Sequence, residues 1–200
     1  MKNPKNIIVY DLETKYAFND VGGRHAFEKL GISVLGAYDY ANNMYTVYEE
    51  PELHLFFERL QHRPLLVGFN SKKFDTPILQ AYSRFDLNKT LPQLDLLEEM
   101  VRALGHRVSL DSIAEATLGK KKLGNGLDAL EYFRTGQIKK LKAYCLEDVK
   151  ITREIFEYGA KHQEVFYTPK FGTEKGRAPI SWKMLHPHEC LEPDPQRSLF

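Results

Sequence analysis

A short, wholly apolar run near the start of the chain constrains its fold most strongly. The run is Ile7-Ile8-Val9-Tyr10, and Asp11 follows it directly. A strand with apolar residues at successive positions is buried on both faces, which is typical of a central strand covered by helices. The run therefore predicts a buried strand that ends at Asp11, inside a sheet with helical layers.

The next segments extend this pattern. Residues 31–40 and 44–48 predict two strands joined by a tight turn that contains Asn42 and Asn43. Apolar residues at helical spacing after Pro51 predict a helix, which Pro64 ends before a strand over 65–69. Further helices are predicted over 74–84, 94–104, 109–118, 126–135 and 137 to about 158. We expect an α/β fold, with one mixed central sheet flanked by helices.

The C-terminal part of the sequence has a different residue pattern. Residues 165–168 and 178–182 flank a turn with Gly and Lys and predict a small β-hairpin or arm, and the Pro-rich end predicts an extended tail. A chain of 200 residues is long enough for one main core. We expect a main domain over 1–160, the hairpin or arm over 161–186, and the tail over 187–200.

Charge and cysteine content narrow the setting. The net charge of +1 gives no general basic excess, so nucleic-acid binding would need local patches or metal ions. Only Cys145 and Cys190 could form a disulfide, and Cys145 lies in a strongly helical segment, so we expect a reducing compartment. The early apolar run is too short for a signal peptide or membrane span, which favours a cytoplasmic protein.

Four acidic residues and one tyrosine fall at positions that an α/β fold brings together. Asp11 and Glu13 are two apart on a strand, so their side chains point the same way. Asp75 follows the strand over 65–69 and would start a helix, whereas Tyr144 and Asp148 share one face of the longest helix. Each alone has an ordinary explanation as an exposed or helix-starting acid. Their joint placement at the carboxyl edge of a sheet favours a shared site.

The residue types indicate the chemistry of that site. Carboxylate oxygens without His or Cys suit Mg²⁺ or Mn²⁺ better than Zn²⁺. Two such ions about 4 Å apart can stabilise the attacking and leaving oxygens of a phosphodiester cleavage and lower the pKa of the attacking water. The sequence therefore predicts a two-metal site formed by Asp11, Glu13, Asp75 and Asp148.

Three segments resemble the three exonuclease motifs of the DEDDy branch of the DnaQ-like, ribonuclease H-fold superfamily. They are Tyr10-Asp11-Leu12-Glu13-Thr14, Asn70-Ser71-Lys72-Lys73-Phe74-Asp75 and Tyr144-Cys145-Leu146-Glu147-Asp148. The second is similar to the form found in the proofreading domains of family B polymerases. The resemblance spans about residues 7–158, and it implies a ribonuclease H-like fold and 3′-to-5′ exonuclease activity.

The resemblance also implies roles for the site residues. Asp11, Glu13 and Asp148 would hold the catalytic metal, with Asp11 bridging to a second ion that Asp75 holds through water. Tyr144 would orient the attacking water, a modest role that suits a tyrosine pKa near 10.

Residues for substrate binding follow from the same motifs. Asn70 and Phe74, with the backbone around Leu12 and Thr14, would line the 3′-terminal nucleotide. Lys72 and Lys73 lie beside the expected metal site, where they could meet phosphates or simply form a solvated helix start.

The last five residues, Gln196-Arg197-Ser198-Leu199-Phe200, resemble the Gln-x-Ser/Asp-Leu-Phe peptide that binds the bacterial sliding clamp. A Leu-Phe anchor after a Pro-rich linker suits docking of an extended peptide into a preformed groove. The resemblance implies clamp contacts through Gln196, Ser198, Leu199 and Phe200, and it favours DNA 3′ ends as the substrate.

Two alternatives remain open at this point. The motifs do not distinguish DNA from RNA, so an exoribonuclease of the same superfamily is one alternative. A catalytically inactive protein that binds nucleic acid or the clamp is another, although the intact set of carboxylates argues against it.

Overall fold

A computed structural model describes residues 6–120, 126–169 and 175–182. Its main sheet has five strands, which are β1 (Ile7–Thr14), β2 (Ile32–Asp39), β3 (Met44–Glu49), β4 (Leu65–Gly68) and β5 (Gln93–Asp95). Their order across the sheet is β3-β2-β1-β4-β5. The β2 strand is antiparallel to β1 and β3, whereas β4 is parallel to β1 and β5. The sheet is therefore mixed, as the sequence predicts.

The helices in the described segments are α1 (Leu53–Leu60), α2 (Asp75–Gln80), α3 (Leu87–Thr90), α4 (Leu96–Leu104), α5 (Leu110–Ile113), α6 (Gly126–Arg134) and α7 (Ile138–His162). A π-helical turn over Ala114–Leu118 continues α5. Short 3₁₀ turns cover Phe18–Asp20, Phe27–Lys29 and Glu50–Glu52. No helix among these residues is long and apolar enough to cross a membrane.

Helices cover both faces of β1, which is the central strand. Ile7 and Val9 pack in one cluster with residues of α4 and α7, and Ile8 and Tyr10 pack in another with residues of α1 and α2. All four side chains are buried. This confirms the prediction made from the apolar run.

The β1 strand continues past Asp11, where the sequence predicted its end. Parallel pairing with β4 stops at Val9, but antiparallel pairing with β2 continues to Thr14. The pairing with β2, which is remote in sequence, keeps the polar end of the strand extended. Asp11 and Glu13 therefore lie within a strand, opposite Gly36 and Val34.

Several predicted helix boundaries are wrong. Residues Gln93–Asp95 form β5, and α4 begins only at Leu96, because the Asp95 carboxylate caps it by accepting from the backbone N–H groups of Leu97 and Glu98. The helix predicted over 74–84 is shorter, the one over 109–118 changes to a π turn, and α7 continues to His162. The α3 helix was not predicted.

The predicted hairpin is present as β6 (Glu164–Tyr167) and β7 (Gly176–Pro179), which pair antiparallel. Residues after β7 pack on α7, where the Trp182 indole N–H donates to the Phe156 carbonyl at 3.1 Å. A side chain on Gly159 would overlap the Trp182 ring, so this helix position needs glycine. The predicted tail over 187–200, with Gln196, Ser198, Leu199 and Phe200, lies outside the described residues, as does Cys190.

Candidate active site

Three carboxylates meet where β1 and α7 pack together. Asp11 and Glu13 project from the same side of β1, and Asp148 projects from α7. One carboxylate oxygen of each lies within 4.8 Å of the other two. Asp11 and Glu13 are partly buried, whereas Asp148 is only 5% exposed. The structure thus brings together three of the four carboxylates that the sequence singles out.

A glycine on β2 lets α7 approach the sheet closely at this point. A Cβ atom on Gly36 would lie 2.9 Å from Cys145 Sγ and 3.0 Å from Val149 Cγ2, both on α7. The Cys145 thiol lies 3.5 Å from the Asp11 carbonyl and donates to it. The helix is therefore held against the part of the sheet that carries Asp11.

Asp75 lies beside this group at the start of α2. Its side chain is 3% exposed, and its Oδ1 accepts from the Leu12 backbone N–H at 3.1 Å. The pKa of Asp75 is raised to about 8: burial raises it most, hydrogen bonds from backbone N–H groups lower it, and the charges of Asp95 and Asp148 raise it. A cation bound nearby would favour the ionised form, so binding would release a proton.

Tyr144 lies one turn before Asp148 on α7 and is 7% exposed. It packs in a cluster with Leu141, Cys145 and Val34. The i, i+4 spacing therefore places Tyr144 and Asp148 on the buried face of the helix, as the sequence predicts.

The chemistry of the donor atoms fits a hard divalent cation. The three clustered ligands are all carboxylates, which suit Mg²⁺ or Mn²⁺. Burial, followed by the charges of Asp11 and Glu13, raises the pKa of the Cys145 thiol well above its usual value. In the metal-free protein this thiol therefore stays protonated at neutral pH. Among the described residues, no other group of three potential metal ligands comes together in this way.

The segment after β4 is organised by a buried acid that sequence reasoning missed. Asp95 accepts from the Asn70 backbone N–H at 2.8 Å and from the Lys72 backbone N–H at 3.1 Å. These bonds hold Asn70 in a left-handed conformation with φ of 63°. The Asp95-x-x-Glu98 spacing, which is typical of a helix start, was the available signal.

The two lysines of this segment differ in their surroundings. The Lys72 ammonium forms an ion pair of 2.7 Å with Glu98, whereas Lys73 is exposed. Lys72 therefore already has a protein carboxylate partner at the position proposed for phosphate contact.

A cleft of about 570 Å³ opens beside Glu13, and we call it the terminal cleft. Its lining includes Glu13, Thr14, Phe18, Phe74 and Leu130. The rings of Phe18 and Phe74 pack edge to face, with centroids 6.0 Å apart. Two of the residues predicted to line the terminal nucleotide, Thr14 and Phe74, thus share one largely apolar cleft.

A second cleft, of about 540 Å³, contains Asp11 and Asp148, and we call it the metal cleft. Asn70 lies here and not in the terminal cleft, together with Arg107 and Val108. The Arg107 guanidinium donates to the Asn70 side-chain oxygen at 3.0 Å. Sequence reasoning missed Arg107, because a single basic residue in a loop carries no pattern.

Two examples represent the solved structures that share this fold. One is the family B DNA polymerase from the hyperthermophilic archaeon Pyrobaculum calidifontis, with 19% identity and a TM-score of 0.57 over 76% of this chain and 24% of that chain. The other is Trypanosoma brucei RNase D, with 16% identity and a TM-score of 0.54 over 77% of this chain and 57% of that chain. The protein thus spans about a quarter of the polymerase and just over half of the RNase D. No curated protein matches it.

Residues 26–159 match the family model of the RNase_H superfamily. The match includes β2 to β5 and most of α7, with Asp75, Tyr144 and Asp148, and it begins after Asp11 and Glu13. Both the mixed sheet and the solved structures agree with it. Since the match covers more than half of the 200 residues, the protein belongs to the RNase_H superfamily.

Proposed function

We propose that the protein is a metal-dependent 3′-to-5′ exonuclease that hydrolyses DNA phosphodiester bonds. One observation carries this proposal: carboxylate oxygens of Asp11, Glu13 and Asp148 lie within 4.8 Å of one another. The metal cleft contains Asp11 and Asp148, and the terminal cleft contains Glu13. Like charges this close together disfavour ionisation, and a bound divalent cation would offset that repulsion.

The carboxylates of this site would hold two divalent metal ions, Mg²⁺ or Mn²⁺. Asp11, Glu13 and Asp148 would bind the first ion, with Asp11 shared with the second, and Asp75 would hold the second through water. Bound ions of this kind supply positive charge to the phosphate oxygens and make the attacking water more acidic. The hydrogen bond from the Leu12 N–H fixes the Asp75 carboxyl in place for this role.

Tyr144 would act on the attacking water through its hydroxyl group. It lies one helical turn from Asp148 and is largely excluded from solvent, so its ring is held firmly by its neighbours. A hydroxyl group in such a position can orient a water molecule without serving as a strong base.

The terminal cleft would bind the 3′-terminal nucleotide. Phe18 and Phe74 offer ring surfaces on which a base can pack, and Thr14 and Glu13 place polar groups near the sugar. The 3′-to-5′ polarity itself rests on the three motifs of the sequence.

The choice of DNA over RNA rests on the C-terminal peptide. One of the similar structures is a DNA polymerase and the other is an RNase by name, so the fold supports either sugar. A peptide that binds the bacterial sliding clamp would place the enzyme in DNA replication or repair. An exoribonuclease remains the second candidate because of the RNase D likeness.

Matched single-stranded DNA and RNA of one sequence, labelled at the 5′ end, test activity, polarity and sugar preference together. We expect a ladder of DNA products that shorten from the 3′ end with Mg²⁺ or Mn²⁺ and disappear with EDTA. A ladder only with RNA would replace DNA by RNA in the proposal. Binding without any cleavage would favour the inactive adaptor.

The clamp contact has its own test. Removal of Gln196 to Phe200 should abolish co-purification with a bacterial sliding clamp and leave the hydrolysis of short oligonucleotides unchanged. Replacement of Leu199 and Phe200 by Ala should have the same effect, since these residues form the apolar anchor. Unchanged clamp binding by both variants would remove the clamp from the proposal.

A further inference from the structure

A cavity of about 580 Å³ lies between the hairpin and the loop before α5, and we call it the hairpin groove. Its lining includes His106, Arg107, Ser109, Ser112, Tyr167 and Thr168. It shares Arg107, Val108 and Ser109 with the metal cleft. The hairpin groove therefore adjoins the cleft that contains Asp11 and Asp148.

The wall that the hairpin contributes is firmly attached. The Ser112 hydroxyl donates to the Thr168 carbonyl at 2.8 Å, and the Thr168 N–H donates back to the Ser112 oxygen at 2.9 Å. The Thr117 hydroxyl and Phe166 form the same reciprocal pair, at 2.7 and 2.9 Å. Two such pairs along β6 fix the hairpin against α5 and the π turn. The groove is therefore preformed, which lowers the entropic cost of binding a ligand.

One aromatic ring of the groove packs over a glycine, which leaves room for it. Tyr167 pairs with Gly176 across the hairpin, and a Cβ atom on Gly176 would overlap the tyrosine ring. The Tyr167 ring also contacts His106 edge to face, with centroids 5.7 Å apart. The ring thus lies across the hairpin and lines the groove with its half-buried surface.

The groove combines the groups that single-stranded nucleic acid binds. Aromatic rings stack with bases, and a guanidinium or hydroxyl group contacts phosphates. Tyr167 and His106 provide the rings, Arg107 an exposed guanidinium, and Ser109 and Thr168 exposed polar groups. The terminal cleft contains Glu13. The hairpin groove adjoins the metal cleft, which contains the other two clustered carboxylates, Asp11 and Asp148.

We propose that the hairpin groove binds the DNA strand on the 5′ side of the scissile bond, with a base stacked on Tyr167 and a phosphate at Arg107. This inference rests on the proposed function for the direction of the strand. The hairpin follows the segment that matches the RNase_H superfamily, which ends at residue 159. The hairpin therefore adds a substrate surface outside the residues that match the family model.

Tyr167→Ala tests the groove, and Tyr158→Ala is the matched control. Both tyrosines are half-buried, pack against the same core cluster and contact a histidine ring, with Tyr158 and His162 centroids 4.3 Å apart. Only Tyr167 lines the groove. The probe is a fluorescein-labelled single-stranded DNA octamer, measured by anisotropy in EDTA so that no hydrolysis occurs.

We expect Tyr167→Ala to raise the Kd for the octamer roughly 5- to 150-fold, the range for loss of one base stack, and Tyr158→Ala to change it less than about twofold. Gly176→Ala, which displaces the ring without removing it, should weaken binding in the same direction. Circular dichroism melting compares the folding of the three variants. Equal affinity of the two tyrosine variants would overturn the proposal, as would failure of the wild type to bind the octamer.

Hydrolysis separates the groove from the proposed function. The 4-nitrophenyl ester of thymidine 5′-monophosphate has no upstream nucleotides, so Tyr167→Ala should leave its kcat/KM unchanged and raise KM only for the octamer. The protein could bind the octamer in a way that depends on Tyr167 and yet cleave neither substrate. That result would support the proposal for the groove and overturn the proposed exonuclease activity. If the two tyrosine variants cleave both substrates with the same kcat and KM, the exonuclease activity would be supported and the proposal for the groove overturned.

Discussion

Asp11 lies directly opposite Gly36 across the antiparallel pairing of β1 with β2. The space that a side chain on Gly36 would fill is taken by Cys145 and Val149 of α7, the helix that carries Asp148. The approach of Asp148 to Asp11 therefore depends on a residue that has no functional group of its own.

Gly36→Ala should lower both kcat and stability. The added methyl group would lie 2.9 Å from Cys145 Sγ, so α7 must shift away from β1 and carry Asp148 with it. A misplacement of about 1 Å can cost roughly 100-fold in rate, whereas overpacking costs about 1–3 kcal/mol of stability. Steady-state kinetics and urea unfolding measure the two effects. Cys145→Ala removes the nearest atom, so the double variant should recover part of the activity; a fully active Gly36→Ala would contradict this account.

Asp95→Asn should disrupt the segment that leads to Asp75. The Asp95 carboxylate now accepts hydrogen bonds from the Asn70 N–H and the Lys72 N–H. The NH₂ group of an amide in its place would face one of these two donors, so that hydrogen bond would be lost. Loss of hydrogen bonds to a buried charged group costs about 1.5–3 kcal/mol, and kcat should fall as well. Asp86→Asn is the control. Asp86 also caps a helix, α3, where it accepts from the Lys89 N–H, but it does not bond to Asn70 or Lys72. Equal effects of the two substitutions on kcat would show that Asp95 acts only as a helix cap.

The sequence predicts the placement of the candidate site residues better than it predicts the boundaries of the elements. Asp11 and Glu13 lie two apart on a strand, and Tyr144 and Asp148 lie one helical turn apart. Local geometry alone therefore places the two members of each pair on the same face. The β5 strand could not be predicted in the same way. Its three residues are extended because they pair with β4, which is remote in sequence, while Leu94 and Leu96 fit the helical pattern that follows.

Residues that contacts remote in sequence bring together also escape prediction. Arg107 and Tyr167 are brought to one groove by hydroxyl pairs that fix the hairpin beside α5, and these pairs join residues about 50 positions apart. No local spacing in the sequence contains that information. The glycine at position 36 is a similar case, since its role depends on which helix packs over it.

Divalent metal should stabilise the protein against unfolding, independently of any activity. Mg²⁺ or Mn²⁺ at about 100 times its Kd should add about 2.7 kcal/mol, which corresponds to several degrees in Tm. Asp148→Asn should remove most of this shift, because the variant loses one of three clustered ligands. Glu58→Gln, which changes an exposed carboxylate on α1, should keep the full shift. Equal shifts in both variants would argue against metal binding at the cluster.

The contribution of Asp75 to the stability of the metal-free protein should fall as the pH rises from about 4 to about 8. Burial raises the pKa of Asp75 to about 8 in the folded protein, whereas an unfolded aspartate has a pKa of about 3.9. Between these values the folded state keeps a proton that the unfolded state has lost, so the free energy of unfolding falls with pH, by at most about 1.4 kcal/mol per pH unit. Urea unfolding in EDTA from pH 5 to pH 8 measures the slope. Asp75→Asn should remove this contribution, and an identical slope in the variant would contradict the assignment.

Cleavage of a 5′-labelled DNA primer by the wild type and by Asp11→Asn, with Mg²⁺ or Mn²⁺, tests the central claim most directly. The substitution keeps the shape of the side chain and removes one clustered charge, and Glu58→Gln is the control for loss of an exposed carboxylate. We predict products that shorten stepwise from the 3′ end with the wild type and Glu58→Gln, and a loss of at least roughly 100-fold in rate with Asp11→Asn, since the metal charge supplies several kcal/mol of transition-state stabilisation. Cleavage by Asp11→Asn at the wild-type rate would contradict the assignment of the active site.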